Sequence, residues 1–315
     1  MTAARVSAVF STFRPDAGLL DAVASVAEQV DRVIVVDDGS GDPHAVLDRL
    51  AAPSVEVVRR PSNDGIAAAL NDGIRRAVAA GADYVVTFDQ DSHAPADFVR
   101  DLVGAAQAAT REGEKVGVVV PEYFADVRQQ RGPAAPIGDA ANVIQSGMLI
   151  PATVIAELGA LREDFFIDLV DTEFELRLRR NGHRVLAAGG TRLDHALGTK
   201  YRRELFGRVV RLPGVPPVTT LSTPFRYYYR VRNRIVLNRE YLLVAPRQIL
   251  RDTVLDIIHF VNAAWVARPR RALLRVYRAA VVAAVRGRLG RMPARLAPIA
   301  AQVRWNAPVA EPEEA

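Results

Sequence analysis

Between residues 6 and 88 the chain alternates short apolar runs with amphipathic segments, and this alternation limits the possible folds more than any other feature. Val6 to Ser11, Val33 to Val36, Val55 to Arg59 and Tyr84 to Phe88 are the length of buried strands. Gly18 to Gln29, Pro43 to Leu50 and Ile66 to Ala80 lie between them and read as helices, the first with Leu19, Leu20, Val23 and Val26 at helical spacing. Continuously apolar strands separated by such helices form a parallel sheet covered on both faces. In sheets of this kind ligands bind beyond the carboxyl ends of the strands, near the point where strand order reverses. The expected fold is therefore α/β, a Rossmann-like, mostly parallel sheet flanked by helices, with its chemistry at the strand ends.

Those ends are polar. The first run closes on Ser11-Thr12-Phe13-Arg14-Pro15, and the second on Asp37-Asp38-Gly39-Ser40 with Asp42 following. The third leads to Asn63-Asp64-Gly65-Ile66 and on to Ala69-Leu70-Asn71-Asp72-Gly73-Ile74, and the fourth ends at Asp89-Gln90-Asp91-Ser92. Asp38-Gly39 also suits a plain turn, and Asn63-Asp64-Gly65 a helix start. Asp-x-Asp at the end of a buried strand suits a hard divalent cation beside a phosphorylated ligand, although solvated loop acids share the pattern. Four polar ends on one rim, with neither Gly-x-Gly-x-x-Gly nor a P-loop lysine, point to a different kind of nucleotide site.

Charge divides the chain. Residues 1–199 carry 19 Lys/Arg and 29 Asp/Glu, whereas residues 200–306 carry 22 Lys/Arg and 4 Asp/Glu. The basic part suits an anionic lipid surface, a polyanion or nucleic acid. The absence of cysteine excludes disulfides, thiol catalysis and zinc–thiolate or iron–sulfur sites. Met1 to Phe10 lacks the basic start and long apolar core of a signal peptide, so a cytoplasmic location is expected.

The ordered set Thr12-Phe13-Arg14-Pro15, Val35-Val36-Asp37-Asp38-Gly39-Ser40, Asn63-Asp64-Gly65-Ile66-Ala67 to Asn71-Asp72-Gly73-Ile74, and Asp89-Gln90-Asp91-Ser92 resembles the family 2 glycosyltransferases of the GT-A fold. Its Asp-Gln-Asp-Ser form is similar to the rhamnosyltransferases, which build O-antigens, capsules and cell-wall polysaccharides. The resemblance spans about residues 5–240 and implies a nucleotide-sugar site. Thr12, Phe13, Arg14, Asp37 and Asp38 would approach the base and ribose, and Asn63 and Gly65 would line the same pocket. Asp89 and Asp91 would hold the ribose and a Mg²⁺- or Mn²⁺-bound diphosphate. His195, in an element resembling the family's His-x-x-Gly, would bind the diphosphate or complete the metal shell.

The resemblance also places a general base. Phe165 to Arg177 reads as an extended stretch turning helical, with Leu176 and Leu178 buried and Arg177, Arg179 and Arg180 outside. Asp171 matches the family's acceptor-deprotonating acid and Glu173 the next acid, while Val170 replaces a frequent Glu. An acid-rich first helical turn has the same composition for dipole reasons. Ser146-Gly147 resembles the small-residue element that would let the acceptor sugar approach, and a bulge is the simpler account. Arg230 and Arg234, in Phe225 to Arg234, would contact the diphosphate or sugar; a solvated helix with inward tyrosines is the alternative.

Sugar transfer passes through an oxocarbenium-like state, so inversion needs one base while a metal neutralises the leaving diphosphate. The expected activity is inverting transfer, most simply of L-rhamnose from dTDP-β-L-rhamnose, which gives an α linkage on a glycan or polyprenyl-linked acceptor. Another UDP- or GDP-hexose donor is the first alternative. A nucleotidyltransferase is a second, although Thr12 to Pro15 lacks the glycine such a loop uses. A nucleic-acid-binding protein built on the basic half is a third alternative, which predicts steeply salt-dependent binding that a flat salt response would exclude; nucleic acid is not the expected partner. The expected organisation is a GT-A domain over 1–240, with a nucleotide-sugar half at 1–95 and an acceptor half at 96–240. A basic helical appendage follows at 241–306, then an acidic tail at 307–315. Ile249 to Val266 is too interrupted to span a bilayer. With Leu273 to Val285 it reads as a basic amphipathic pair, either drawn to anionic lipid at the inner membrane face or packed on the catalytic domain.

Overall fold

The computed structural model describes residues 4–41, 44–50, 52–195, 200–202, 204–205, 208–209, 218–307 and 309. Asp42, the Ala196 to Gly198 part of the His-x-x-Gly element and residues 310–315 of the acidic tail lie outside them. The described residues divide into two compact units, one within 1–166 and 170–196, the other within 167–169 and 197–315.

The first unit opens as the sequence predicts: β1 (Val6–Thr12), α1 (Gly18–Ala27), β2 (Arg32–Asp37), a short α2 (His44–Leu47), β3 (Val55–Arg59), α3 (Ile66–Ala79) and β4 (Tyr84–Asp89). There follow β5 (Ser92–His93), α4 (Phe98–Arg111), β6 (Val116–Phe124), β7 (Val127–Arg128), β8 (Ile137–Asp139), β9 (Met148–Pro151), α5 (Ala152–Leu158), α6 (Val170–Arg180) and β10 (Arg184–His195). The main sheet runs β3-β2-β1-β4-β9-β6-β10-β5. β1, β2, β3 and β4 pair in parallel, as do β6 and β10, so the sheet is mostly parallel as expected. β9 runs antiparallel to both β4 and β6, and β5, β7 and β8 also pair antiparallel at the β6–β10 side. Strand order reverses at β1, which has β2 on one side and β4 on the other.

Both faces of the sheet are covered because its central strands are apolar on both sides. On one face Ala8, Phe10, Val33, Val35, Val86 and Phe88 pack with Leu19, Val23 and Val26 of α1 and with Phe98 and Leu102 of α4. Phe10 and Phe88 stack there with centroids 5.0 Å apart. On the other face α3 lies so close that a Cβ at Gly73 would stand 2.3 Å from Val9 Cγ1. A mid-helix glycine costs about 1 kcal/mol against alanine, and here it permits that approach.

The second unit has small antiparallel pairs, β11 (Lys200–Arg202) with β14 (Val218–Thr220) and β12 (Glu204–Leu205) with β13 (Arg208–Val209). Its helices are α7 (Arg226–Tyr241), α8 (Pro246–Val266), α9 (Arg270–Val285) and the short α10 (Ala297–Ala300), and β15 (Ala267–Arg268) pairs with β16 (Arg304–Trp305). α7 is the buried helix of this unit, hiding Tyr227, Tyr228, Tyr229, Val231, Val236 and Leu237. The inward tyrosines match the alternative reading of this segment, but Arg232, Asn233 and Arg234 are buried with them.

Candidate functional site

The parallel strands deliver their polar ends to one rim. Thr12 pairs in register with Asp37, Asp37 with Arg59, and Ser11 with Asp89. Side chains then cross-link the loops. The Oε1 of Gln90 accepts the Phe13 backbone N–H at 2.8 Å, joining the β1 and β4 ends. The Oγ of Ser40 accepts the Arg14 N–H at 2.6 Å and donates to the Asp37 carboxylate, which also accepts the Ser40 N–H at 3.0 Å. Arg14 adopts φ 50°, a left-handed conformation this bracing maintains.

Asp38 caps α3 from a distance. Its carboxylate accepts the N–H groups of Asp64 at 3.0 Å and Gly65 at 2.8 Å, and Arg60 lies 3.4 Å away. Burial nevertheless pushes its carboxyl above the ordinary carboxylate value, against the lowering effect of those bonds and of Arg60. The helix start that Asn63-Asp64-Gly65 suggests is therefore real, but the capping acid comes from the β2 end. Asn63 keeps its Oδ1 buried without a hydrogen-bond partner among the described residues, an acceptor that a group entering the pocket would satisfy. Gly65, at φ 99°, lies under the Phe166 carbonyl, where an added Cβ would come within 2.3 Å of the oxygen. A side chain there would separate α3 from the segment that leads to Asp171.

At the β4 end, Asp89 and Asp91 meet His195. One ligand atom from each lies within 4.8 Å of the others. β10 brings the histidine there by pairing antiparallel with β5, His195 opposite Ser92. The imidazole Nδ1 stands 3.1 Å from Ser92 Oγ and 3.5 Å from an Asp91 oxygen, and its ring packs on Phe124. Burial lowers its proton affinity below the ordinary histidine value, although Asp91 opposes that shift and His93 adds to it. A neutral imidazole and two carboxylates are a donor set that Mg²⁺ or Mn²⁺ accepts. These residues could hold such an ion.

Ser146 and Gly147, which the pattern assigns to the acceptor, are buried and offer no surface to a sugar. Ser146 instead accepts the Asp89 N–H at 3.0 Å and shares a 2.8 Å hydrogen bond with Ser92 Oγ. Gly147, at φ 78°, donates its N–H to the Thr87 carbonyl at 2.7 Å. The pair braces the Asp89-Asp91 turn from behind. Gln145, which the sequence did not single out, donates to the Asp89 carboxylate through Nε2. Its sole signal was its position beside Ser146-Gly147.

Asp171 stands half-buried in the first turn of α6 and accepts the Thr172 N–H at 2.8 Å. Just upstream, Phe166, Asp168 and Leu169 all have positive φ of 63° to 67°. Three such non-glycine residues in four positions are a store of backbone strain of the kind found at functional sites. Glu173, two residues on, is 3% exposed and bonds Arg177 at 3.1 Å, so it is an internal partner and not a surface ligand. Arg177 also departs from the outward reading. It donates to the Leu158 and Ala160 carbonyls at 2.6 and 2.7 Å, because the C-terminal end of α5 leaves backbone oxygens to satisfy.

In the second unit, Arg230 and Arg234 converge on Asp256 at 3.2 and 2.7 Å. The two arginines that the resemblance assigns to the diphosphate or sugar thus belong to an ion-pair cluster, with Arg230 also 3.2 Å from His259 Nε2. Also within this unit, Arg226 grips the Asp168 carboxylate at 3.1 and 2.7 Å, and Asn233 donates to the Ile167 and Asp168 carbonyls at 3.0 and 2.8 Å. Those four bonds hold the strained stretch that runs into Asp171. Nothing in the local pattern of α7 announces them, since their partners lie about sixty residues away in sequence.

The sheet with its reversal beside β1, its polar rim and an Asp-x-Asp at the β4 end define a nucleotide-sugar transferase fold. Residues 7–140 match the family described as Glycosyl transferase family 2, and this match supports glycosyltransferase activity. It is 28% identical over 273 residues to the dTDP-rhamnosyl transferase RfbF of Shigella flexneri, covering 81% of this chain and 86% of that one. The fold resembles S. aureus TarS with TM-score 0.52 and 13% identity, over 74% of this chain and 39% of that chain. The chain thus spans less than half of that protein's length. The shorter TarS 1-349 in complex with UDP-GlcNAc superposes with TM-score 0.50 and 14% identity, over 90% of this chain and 92% of that one. These likenesses establish the GT-A class that the sequence pattern predicts.

Proposed function

We propose that this glycosyltransferase moves L-rhamnose from dTDP-L-rhamnose to a lipid-linked glycan with inversion, working peripherally at the cytoplasmic face of a membrane during cell-surface polysaccharide synthesis. The observation that carries this reading is the meeting of Asp89, Asp91 and His195 within 4.8 Å at the end of β4. The likeness to a dTDP-rhamnosyl transferase supports the donor.

Asn63 would accept a hydrogen bond from the base through its unpartnered Oδ1. Thr12, Phe13 and Arg14 would border the ribose side, where Asp37 and Asp38 hold the loops in shape. A divalent ion held by Asp89, Asp91 and His195 would neutralise the leaving diphosphate, which then needs no protonating residue. Asp171 accepts the proton of the acceptor hydroxyl as that oxygen bonds to C1 of the sugar. The C1–O bond to the diphosphate breaks, and its electron pair leaves with the nucleotide. One base suffices because the attacking oxygen and the leaving group occupy opposite faces of the sugar.

The test is transfer or hydrolysis of dTDP-rhamnose by the wild type and by Asp91→Ala and Asp171→Ala proteins of unchanged melting temperature. Both variants should lose activity. Full activity in both would remove the site assignment, and turnover of UDP- or GDP-hexoses in preference to dTDP-rhamnose would remove the donor.

A further inference from the structure

α8 is built inside out. Asp252, Asp256 and His259 recur at helical spacing along its inner face and are buried. Asp256 meets Arg230 and Arg234, and His259 lies 3.0 Å from the Tyr227 hydroxyl and 3.2 Å from Thr219 Oγ1. The opposite face is aliphatic. Leu250, Val254, Ile257, Val261 and Trp265 are all exposed, with Val261 at 65% and Trp265 at 39%. Their spacing places them in one stripe of about 22 Å along the helix. Leu243, 95% exposed, precedes the helix, and Leu255 widens the stripe. A helix in water normally shows the reverse arrangement, so this face is shaped for a medium other than water.

The charge around it says which medium. Residues 241–307 contain twelve arginines and two acids. All twelve arginines are exposed, and both acids, Asp252 and Asp256, are buried. α9 repeats the mixture on its outer face, where Arg271, Arg275 and Arg278 stand among exposed Leu274, Val281, Val282 and Val285. Aliphatic residues ringed by arginine without any exposed acid match the acyl chains and anionic headgroups of a lipid surface. Nucleic acid would satisfy the arginines but not the aliphatic stripe. A second copy meeting at the same face would bring arginine against arginine, with Glu240 just before the region as the one nearby exposed acid among the described residues of 239–307.

We infer that the outer face of α8 is a monotopic membrane-docking surface, lying in the plane of an anionic bilayer with the surrounding arginines on the headgroups. No helix among the described residues is long and apolar enough to cross a membrane, so α8 lies on the bilayer instead of spanning it. The inference deepens the membrane part of the proposed function and is independent of the donor.

The test is co-sedimentation of the full chain with vesicles of phosphatidylcholine alone and of phosphatidylcholine with about one third phosphatidylglycerol. Wild type should bind the anionic vesicles. Val254→Ser/Ile257→Ser/Val261→Ser should bind them at least about a hundredfold more weakly, with melting temperature and dTDP-rhamnose hydrolysis unchanged. Arg271→Gln/Arg275→Gln/Arg278→Gln should weaken binding at low salt by about fivefold per arginine. Trp265 emission should shift to the blue on binding in the wild type.

Failure of the wild type to bind anionic vesicles would overturn the inference, as would serine-variant binding equal to wild type. So would a wild-type dimer that the serine substitutions convert to monomer, or DNA or RNA binding that the same substitutions abolish. Vesicle binding by a protein that turns over no dTDP-rhamnose would leave this surface standing and remove the donor reading alone.

Discussion

Acids stand in opposite settings in the two units. In the first, Asp91 keeps 52% of its side chain open at a strand end, with His195 Nδ1 3.5 Å from its carboxylate. In the second, Asp256 keeps 11% open and lies between the guanidinium groups of Arg230 and Arg234. A carboxylate matched by fixed cations is committed to holding the fold. One that stands at an open strand end beside an imidazole whose proton affinity burial lowers is left accessible to a ligand. The lesson is that residue type and spacing alone do not separate these cases. The partner does.

Removing the charge at each place should therefore have opposite consequences. Asp171→Asn should lower transfer by about a hundredfold to ten-thousandfold, the range a positioned base contributes, and Asp91→Asn should lower it by weakening the hold on the metal–diphosphate, both with little change in urea midpoint. Asp256→Ala should do the reverse, destabilising the second unit by about 3 kcal/mol because two partly or fully buried arginines lose their partner. Equilibrium unfolding measures it, and an unchanged midpoint would mean that the ion pairs contribute nothing.

Asn233→Ala sharpens the contrast, since it belongs to the second unit yet holds carbonyls of the strained stretch just before Asp171. It should lower kcat by about tenfold while the donor KM stays near wild type, as expected when a catalytic group is misplaced without loss of the binding site. A change in KM alone would contradict it.

The units should also differ in which end of the pH scale weakens them. His195 in the folded chain resists a proton that the unfolded chain accepts, so its contribution is present above the ordinary histidine value of 6.5 and is lost as pH falls below it. Tyr227 has the opposite sign. Burial pushes its hydroxyl up to about 12 from 10.0, so its contribution is present below pH 10.0 and is lost as pH rises toward about 12. Urea midpoints across pH should fall less steeply on the acid side in His195→Gln and on the alkaline side in Tyr227→Phe, where Tyr277 and Tyr229 still contribute. The smallest effect is expected at the outer face of α8, where Leu250→Ser in solution should change stability by less than about 0.5 kcal/mol.

Much of the first unit was legible in its sequence because the strands from Val6 to Asp89 are short, apolar and bounded by turn-forming residues. The Asp89-Asp91-His195 meeting was reached through family resemblance, and the β5–β10 pairing that creates it joins residues about a hundred apart. Ser146, Gly147, Glu173, Arg230 and Arg234 read as ligand contacts because polar residues near motifs attract that reading. Their burial and their partners are set by packing, which spacing does not reveal. α8 makes the same point from the other side. Its periodicity announces two faces, but only the position of α7, with Tyr227 and Arg234 buried and Arg230 half-buried against it, decides that the polar one turns inward.

The central claim is that the β4 rim holds a nucleotide sugar through a divalent ion. Its most direct test is the thermal stability of wild type and Asp91→Asn with dTDP-rhamnose, in Mn²⁺ and in chelator. A ligand at about a hundred times its Kd stabilises by about 2.7 kcal/mol, so wild type should gain several degrees only when donor and Mn²⁺ are both present, and Asp91→Asn should gain none. An equal gain in chelator, or in Asp91→Asn, would contradict the account.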